Sequence, residues 1–168
     1  MGANEKVMEI EEKKDVNEKQ YLTFDIEEET YGLFLKDSKE IIKTPKITNV
    51  PNTADHIIGV INLRGQVVPV VNLKKKLNLN KGEDESFKEK KIIVTNIKDI
   101  IIGVLVDNVR EVVTLNVDNI EEMTDSRRGL KEDFIEGVVN YDNDLLVIIN
   151  VEKVLFSDKE KKDDKENK

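Results

Sequence analysis

The 168-residue chain has no cysteine, no tryptophan and a single histidine. Without cysteine there is no disulfide framework, no thiolate nucleophile and no thiolate metal site. His56 alone cannot build an imidazole cluster. Lying after Pro51 and beside Asp55, it reads as a solvent-facing residue entering a strand rather than a proton shuttle. Aromatics make up only 5% of the chain, so the core has to be aliphatic. The apolar stretch Ile100–Val106 is far too short to span a bilayer. An excess of positive charge is also lacking. The net charge of −8 argues against nucleic acid, whose binding domains carry a basic footprint that neutralises phosphates. Lys74-Lys75-Lys76 and Lys88–Lys91 are local exceptions, and acidic neighbours such as Glu85 and Glu89 mark the second as solvated surface. The segment Met1–Lys6 has no apolar signal core, and Lys6 replaces the Ser or Thr of a myristoylation motif. A soluble cytoplasmic protein with no direct membrane insertion is expected.

Catalytic signatures are equally scarce. No activated nucleophile with a base is evident. No glycine-rich turn leads into Lys-Ser or Lys-Thr. Asp142-Asn143-Asp144 lacks the spacing and closing Glu of a calcium loop. No enzyme activity, cofactor or metal is expected, which leaves a surface for protein partners.

What the chain does contain is an internal repeat. Ile58–Leu77 aligns without a gap on Glu136–Leu155: Gly59 on Gly137, Val60 on Val138, Asn62 on Asn140, Asn72 on Asn150, Lys75 on Lys153. An earlier segment repeats as well, with Gly32 on Gly103 and Glu40-Ile41-Ile42 on Glu111-Val112-Val113. A unit of about sixty to seventy residues is too long for a solenoid and suits a small barrel. The turns differ: Leu63-Arg64-Gly65-Gln66 in one copy, Tyr141-Asp142-Asn143-Asp144 in the other, so only one copy presents a basic tip at Arg64.

Runs of Val and Ile broken by Gly, Asn and Asp read as strands. The fold expected is mainly β: two similar five-stranded barrels packed together, with short helices. Residues 20–85 would form the first half and 86–156 the second. The charged segments 1–19 and 157–168 would be mobile tails, since neither buries enough apolar surface to offset ordering. Hairpins are expected at Gly65, at Lys98-Asp99 and at Asp142-Asn143, while Asp37 or Ser38 could cap a short helical turn. Pro69 places its strand at an edge or opposite a bulge. Asn72 and Asn150 are N-caps of short helices that would lid each barrel with Leu73 and Leu77, or Val151, Val154 and Leu155.

The run Gly59-Val60-Ile61-Asn62-Leu63-Arg64-Gly65-Gln66-Val67-Val68-Pro69 strongly resembles the signature of the CheW family of bacterial chemotaxis coupling proteins. Tyr31-Gly32, Glu40-Ile41, Gly103–Val109 and Gly137–Val151 support the resemblance, which covers nearly all of Tyr21–Phe156. It implies two SH3-like five-stranded barrels with an apolar groove between them. The implied role is a non-catalytic adaptor that joins the cytoplasmic hairpin of chemoreceptors to the regulatory domain of the histidine kinase CheA, within receptor arrays at the inner face of the membrane. By the same resemblance Arg64 is a functional position and Glu40 its ionic partner. Gly59, Ile41 and the segment around Glu40 would face the kinase, and Gly103, Val109 and Val112 the receptor. Where relatives have an apolar residue two places before the Glu, this chain has Ser38, a departure at that contact. Alternatives sharing the fold are a CheA regulatory domain, which normally follows a kinase domain, and a CheV-type protein, which continues into a receiver domain. A small β-barrel enzyme or ligand binder is the alternative from another class.

Overall fold

The computed structural model describes residues 17–79, 86–122 and 134–156. Residues 1–16 of the expected N-terminal tail and all of the expected C-terminal tail, 157–168, lie outside these residues. Glu18 and Lys19, assigned to the tail, instead open the first strand.

Among the described residues ten strands and two short α-helices are formed: β1 (Glu18–Ile26), β2 (Glu29–Phe34), β3 (Ser38–Lys43), β4 (Ile57–Leu63), β5 (Gln66–Asn72), α1 (Leu73–Lys76), β6 (Lys91–Ile97), β7 (Ile100–Val106), β8 (Asn108–Asn116), β9 (Ile135–Tyr141), β10 (Asp144–Ile149) and α2 (Val151–Phe156). They build two five-stranded sheets, β8-β1-β2-β10-β9 and β3-β6-β7-β5-β4. Applying the repeat (β1 on β6, β2 on β7, β3 on β8, β4 on β9, β5 on β10) converts one order into the other. The copies therefore share one topology.

They do not, however, stay apart. Each sheet takes a hairpin from one repeat and three strands from the other, so the division expected between residues 85 and 86 does not separate the sheets. The cause is two-sided burial. Side chains alternate across a strand. In β10, Val147 and Ile149 enter the large core between the sheets, whereas Leu146 and Ile148 enter the core inside the first sheet. In β6, Ile93 and Ile97 face the shared core, and Ile92 and Val94 the core of the second sheet. Strands apolar on both faces belong in inner positions with a neighbour on each side. One of those neighbours comes from the other repeat: β2 for β10, by a parallel pair, and β3 for β6, by an antiparallel one; β5–β7 and β1–β8 are the counterparts.

The helices start where expected. The side-chain oxygen of Asn72 accepts the Lys75 N–H at 3.4 Å, and that of Asn150 the Lys153 N–H at 3.1 Å. Leu73, Leu77, Val151 and Val154 all enter the shared core, with Leu155 packed against it, so the helices lid one common core rather than two. Asp37 and Ser38 start no α-helix: Leu35–Asp37 is a 3-10 turn, and Ser38 opens β3. Pro69 sits in an inner strand, not at an edge. Its parallel ladder to β7 begins one residue later, at Val70, and a bulge at Ile58 lies opposite Val70 and Val71.

Neither sheet closes by a continuous ladder. The chain beyond β3 folds back so that Thr48 exchanges hydrogen bonds of 2.8 and 2.9 Å with Val60 of β4; beyond β8, Glu121 does the same with Val138 of β9, at 2.8 Å both ways. Each crossing passes directly over a glycine. A Cβ on Gly59 would lie 2.2 Å from the Thr48 carbonyl oxygen, and one on Gly137 2.5 Å from that of Glu121. The repeated glycines are thus places where one backbone crosses another.

A polar junction joins the two sheets at one end. The Asp107 carboxylate accepts the Glu27 N–H at 2.5 Å and an ion pair from Lys90, while the Asp107 N–H donates to the Asp25 carbonyl at 3.0 Å. Burial pushes the Asp107 carboxyl up, yet Lys90, the Glu27 N–H and Lys74 outweigh it and hold the group below its ordinary range. The turn between β1 and β2 is thereby tied to the start of β6.

These crossings predict a contrast between two glycines in β4 and its turn. Gly59 has φ +148° and no room for a Cβ, so Gly59→Ala combines backbone strain with overpacking and should cost about 2–4 kcal/mol. That corresponds to a melting temperature roughly 5–15 °C lower. At Gly65 nothing lies within 4 Å of a Cβ. Gly65→Asn should accordingly melt close to wild type, since Asn enters the left-handed region readily. Thermal melts followed by circular dichroism measure both.

Candidate partner-binding site

The β4–β5 turn is built on two residues with positive φ, Arg64 at 51° and Gly65 at 86°. Such turns match the twist of the flanking strands. The equivalent turn of the second copy uses Asp142 at 54° and Asn143 at 63°. From its tip, Arg64 reaches across the open seam between β4 and β3, the two edge strands of the second sheet, to Glu40. The guanidinium forks onto the carboxylate: Nη1 donates to Oε1 at 3.2 Å, and Nη2 pairs with Oε2. Glu40 shares a face of β3 with Ile42, which packs on the core of that sheet, so the carboxylate lies at the mouth of the core. The Arg64 side chain remains 66% exposed and that of Glu40 26%, which leaves the cation available to a partner.

Forked pairing favours the ionised carboxylate. The hydrogen bonds from Arg64 are the main influence on Glu40; they overcome the upward push of burial, and the charges of Arg64 and Lys39 add to them. Its pKa is lowered in consequence.

The equivalent seam of the first sheet is constructed differently. Glu111 stands in the place of Glu40, but the tip residue opposite is Asp142, so no Arg–Glu fork can form. A cleft of about 110 Å3 lies there, lined by residues including Arg110, Glu111, Tyr141, Asp142 and Asp144. Arg110 turns instead to Asp25, with Nε 2.7 Å from the carboxylate. At this turn the two copies therefore differ in structure as well as in sequence.

The other anticipated positions separate into exposed and interior groups. Ile41 on β3 and Val112 on β8 are equivalent under the repeat, and both are exposed, at 44% and 46%. They lie on edge strands of different sheets. Ser38 is occupied locally, its hydroxyl donating to the Leu35 carbonyl at 2.8 Å. Val109 is half-buried against the shared core. Gly59 is buried beneath Thr48 and Gly103 is buried on β7, where a Cβ would meet Ile92 at 2.9 Å. These two glycines shape the fold from inside, and neither is gathered with the exposed group. Sequence reasoning passed over Asn62, whose side chain closes the Arg64 turn. Its recurrence as Asn140 was the available signal. Among the described residues, no group of three or more His, Cys, Asp or Glu is placed to hold a metal, and no helix is long and apolar enough to cross a membrane.

The fork yields a titration prediction. Because the folded pKa of Glu40 is depressed, the pair's contribution is present above the ordinary Glu value of about 4.3 and is lost as pH falls through the lower folded value. Carboxyl-detected NMR should place the Glu40 midpoint below that value, and Arg64→Ala should raise it while leaving the melting temperature within a few degrees.

Comparison with known proteins agrees with this architecture. A family model described as a CheW-like domain matches residues 20–159. The chain is 37% identical over 134 residues to the chemotaxis protein CheW of Bacillus subtilis, covering 80% of this chain and 85% of that protein. It is 32% identical over 140 residues to the chemotaxis protein CheW of Thermotoga maritima, covering 83% and 89%. In three dimensions it matches the crystal structure of scaffolding protein TtCheW from Thermoanaerobacter tengcongensis with a TM-score of 0.72 at 33% identity, over 81% of this chain and 86% of that one. With a family match that takes in both sheets and the Arg64 turn, the chain belongs to the CheW-like family.

Proposed function

We propose that this non-catalytic chemotaxis adaptor holds the cytoplasmic hairpin of a chemoreceptor and the regulatory domain of the kinase CheA at the same time, in the cytoplasm at receptor arrays. The observation that carries this reading is the forked Arg64–Glu40 pair. Its Arg64 end is exposed, it occupies a turn where a cation in one copy stands in the place of an acid in the other, and neither residue belongs to a core cluster. An exposed ion pair adds little to folding stability. A residue kept in a left-handed turn at so little benefit to the fold is better explained by what it presents to a partner.

Two partners need two faces. Ile41 beside Glu40, on the edge of the second sheet, serves the kinase side, and Val112, on the edge of the first, serves the receptor side. Exposed aliphatic positions on edge strands suit protein contacts. Gly59, Gly103 and the partly buried Val109 would act on these faces only through the fold.

Arg64→Ala should stay folded yet fail to couple receptor to kinase in reconstituted arrays. Ile41→Asp should weaken binding of the kinase fragment about tenfold or more, and Val112→Asp that of the receptor hairpin, each sparing the other partner. Kinase assays beside titrations with each fragment read these outcomes. Normal activation by Arg64→Ala, or equal loss of both partners from each aspartate variant, would refute the assignment.

A further inference from the structure

Arg64 does not hold its own conformation. Its φ of 51° lies in the left-handed region, which is unfavourable for a non-glycine L-residue. Something must secure the turn. The two-residue hairpin ladder supplies part, ending at the pair Leu63–Gln66. The remaining contact is made by Asn62, whose side-chain carbonyl accepts the Gly65 N–H at 2.8 Å and spans the turn from within. Side chains of Asn readily take the place of a backbone acceptor in this way. Asn62 is itself exposed and enters neither core, so packing does not account for an amide at this position.

We propose that Asn62 is a positioning residue: by binding the Gly65 N–H it fixes the turn that aims the Arg64 guanidinium at Glu40 and at the partner. The importance of this aim for signalling rests on the role assigned to Arg64 above, while the structural step stands independently. A fork needs both nitrogens directed at both oxygens, and a guanidinium at the end of a long side chain retains that geometry only if its backbone is held. Loosening the turn should therefore weaken the fork without touching either of its members.

The test compares Asn62→Ala, Asn62→Asp and Arg64→Ala in the full chain. Asn62→Asp keeps the accepting oxygen and serves as the conservative rescue. Hydrogen exchange at Gly65 should be slow in wild type, Asn62→Asp and Arg64→Ala, and fast in Asn62→Ala. The Glu40 carboxyl midpoint, read by NMR, should rise in Asn62→Ala in the same direction as in Arg64→Ala, although both members of the pair are present. Receptor-dependent kinase activity should fall in Asn62→Ala and recover in Asn62→Asp, with melting temperatures within a few degrees throughout. An unchanged Glu40 midpoint in Asn62→Ala, or Gly65 exchange as slow as in wild type, would overturn the proposal even if Arg64→Ala abolished coupling. A shifted midpoint with normal kinase activity in both Asn62→Ala and Arg64→Ala would support the positioning step and sink the signalling role of Arg64 instead.

Discussion

A strand apolar on both faces cannot stand at the edge of a sheet, and this constraint organises the whole molecule. The runs Ile92–Val94, Val104–Val106 and Leu146–Ile149 feed two cores at once, one inside a sheet and one between sheets. Each therefore needs hydrogen-bonded neighbours on both sides, and the repeat to which it belongs does not provide all of them. The parallel pairs β10–β2 and β5–β7 and the antiparallel pairs β1–β8 and β3–β6 supply the rest by joining one repeat to the other. Both sheets, the shared core and the two helices that cover it follow from this exchange. Edge positions fall to β3, β4, β8 and β9, the strands that carry the polar and exposed residues.

Much of this was legible in the chain itself. Alternation and turn residues located the hairpins at Arg64-Gly65, Lys98-Asp99 and Asp142-Asn143, where the left-handed backbone is found. Asn72 and Asn150 marked both helix starts because capping is a local rule. The exchange of strands was hidden for a physical reason: swapped and unswapped pairings bury the same side chains, so similarity between copies cannot tell which copy pairs with which. Pro69 misled because the rule against proline in inner strands concerns a missing N–H, and here the parallel ladder begins only at Val70. Gly59 and Gly103 resembled contact residues, whereas both are glycine because another group lies where a Cβ would be. A crossing such as Thr48 over Gly59 joins residues whose pairing no local pattern announces.

Stability and exposed charge are thus divided between different parts of the chain. Crossings, caps and the Asp107 junction hold the fold with contacts that leave little for a partner to touch. The Arg64 turn does the reverse, placing a charged, exposed side chain over the open seam between β3 and β4. The copies obey the same rules at bulges, caps and crossings and part company at the turn tip, where Arg64 faces Glu40 in one and Asp142 faces Glu111 in the other. With such a division one copy can change its surface while both keep their scaffold.

The central claim is that the Arg64–Glu40 pair faces a partner rather than stapling the seam, and exchanging the two charges separates these roles. A Glu40→Arg, Arg64→Glu double variant keeps an ion pair across the seam but shows a partner the opposite polarity. Receptor-dependent kinase activity in reconstituted arrays, measured beside a thermal melt, is the direct test. The account predicts a melting temperature within a few degrees of wild type and no coupling. A swapped variant that couples as well as wild type would show that the pair is only a staple, and would contradict the account.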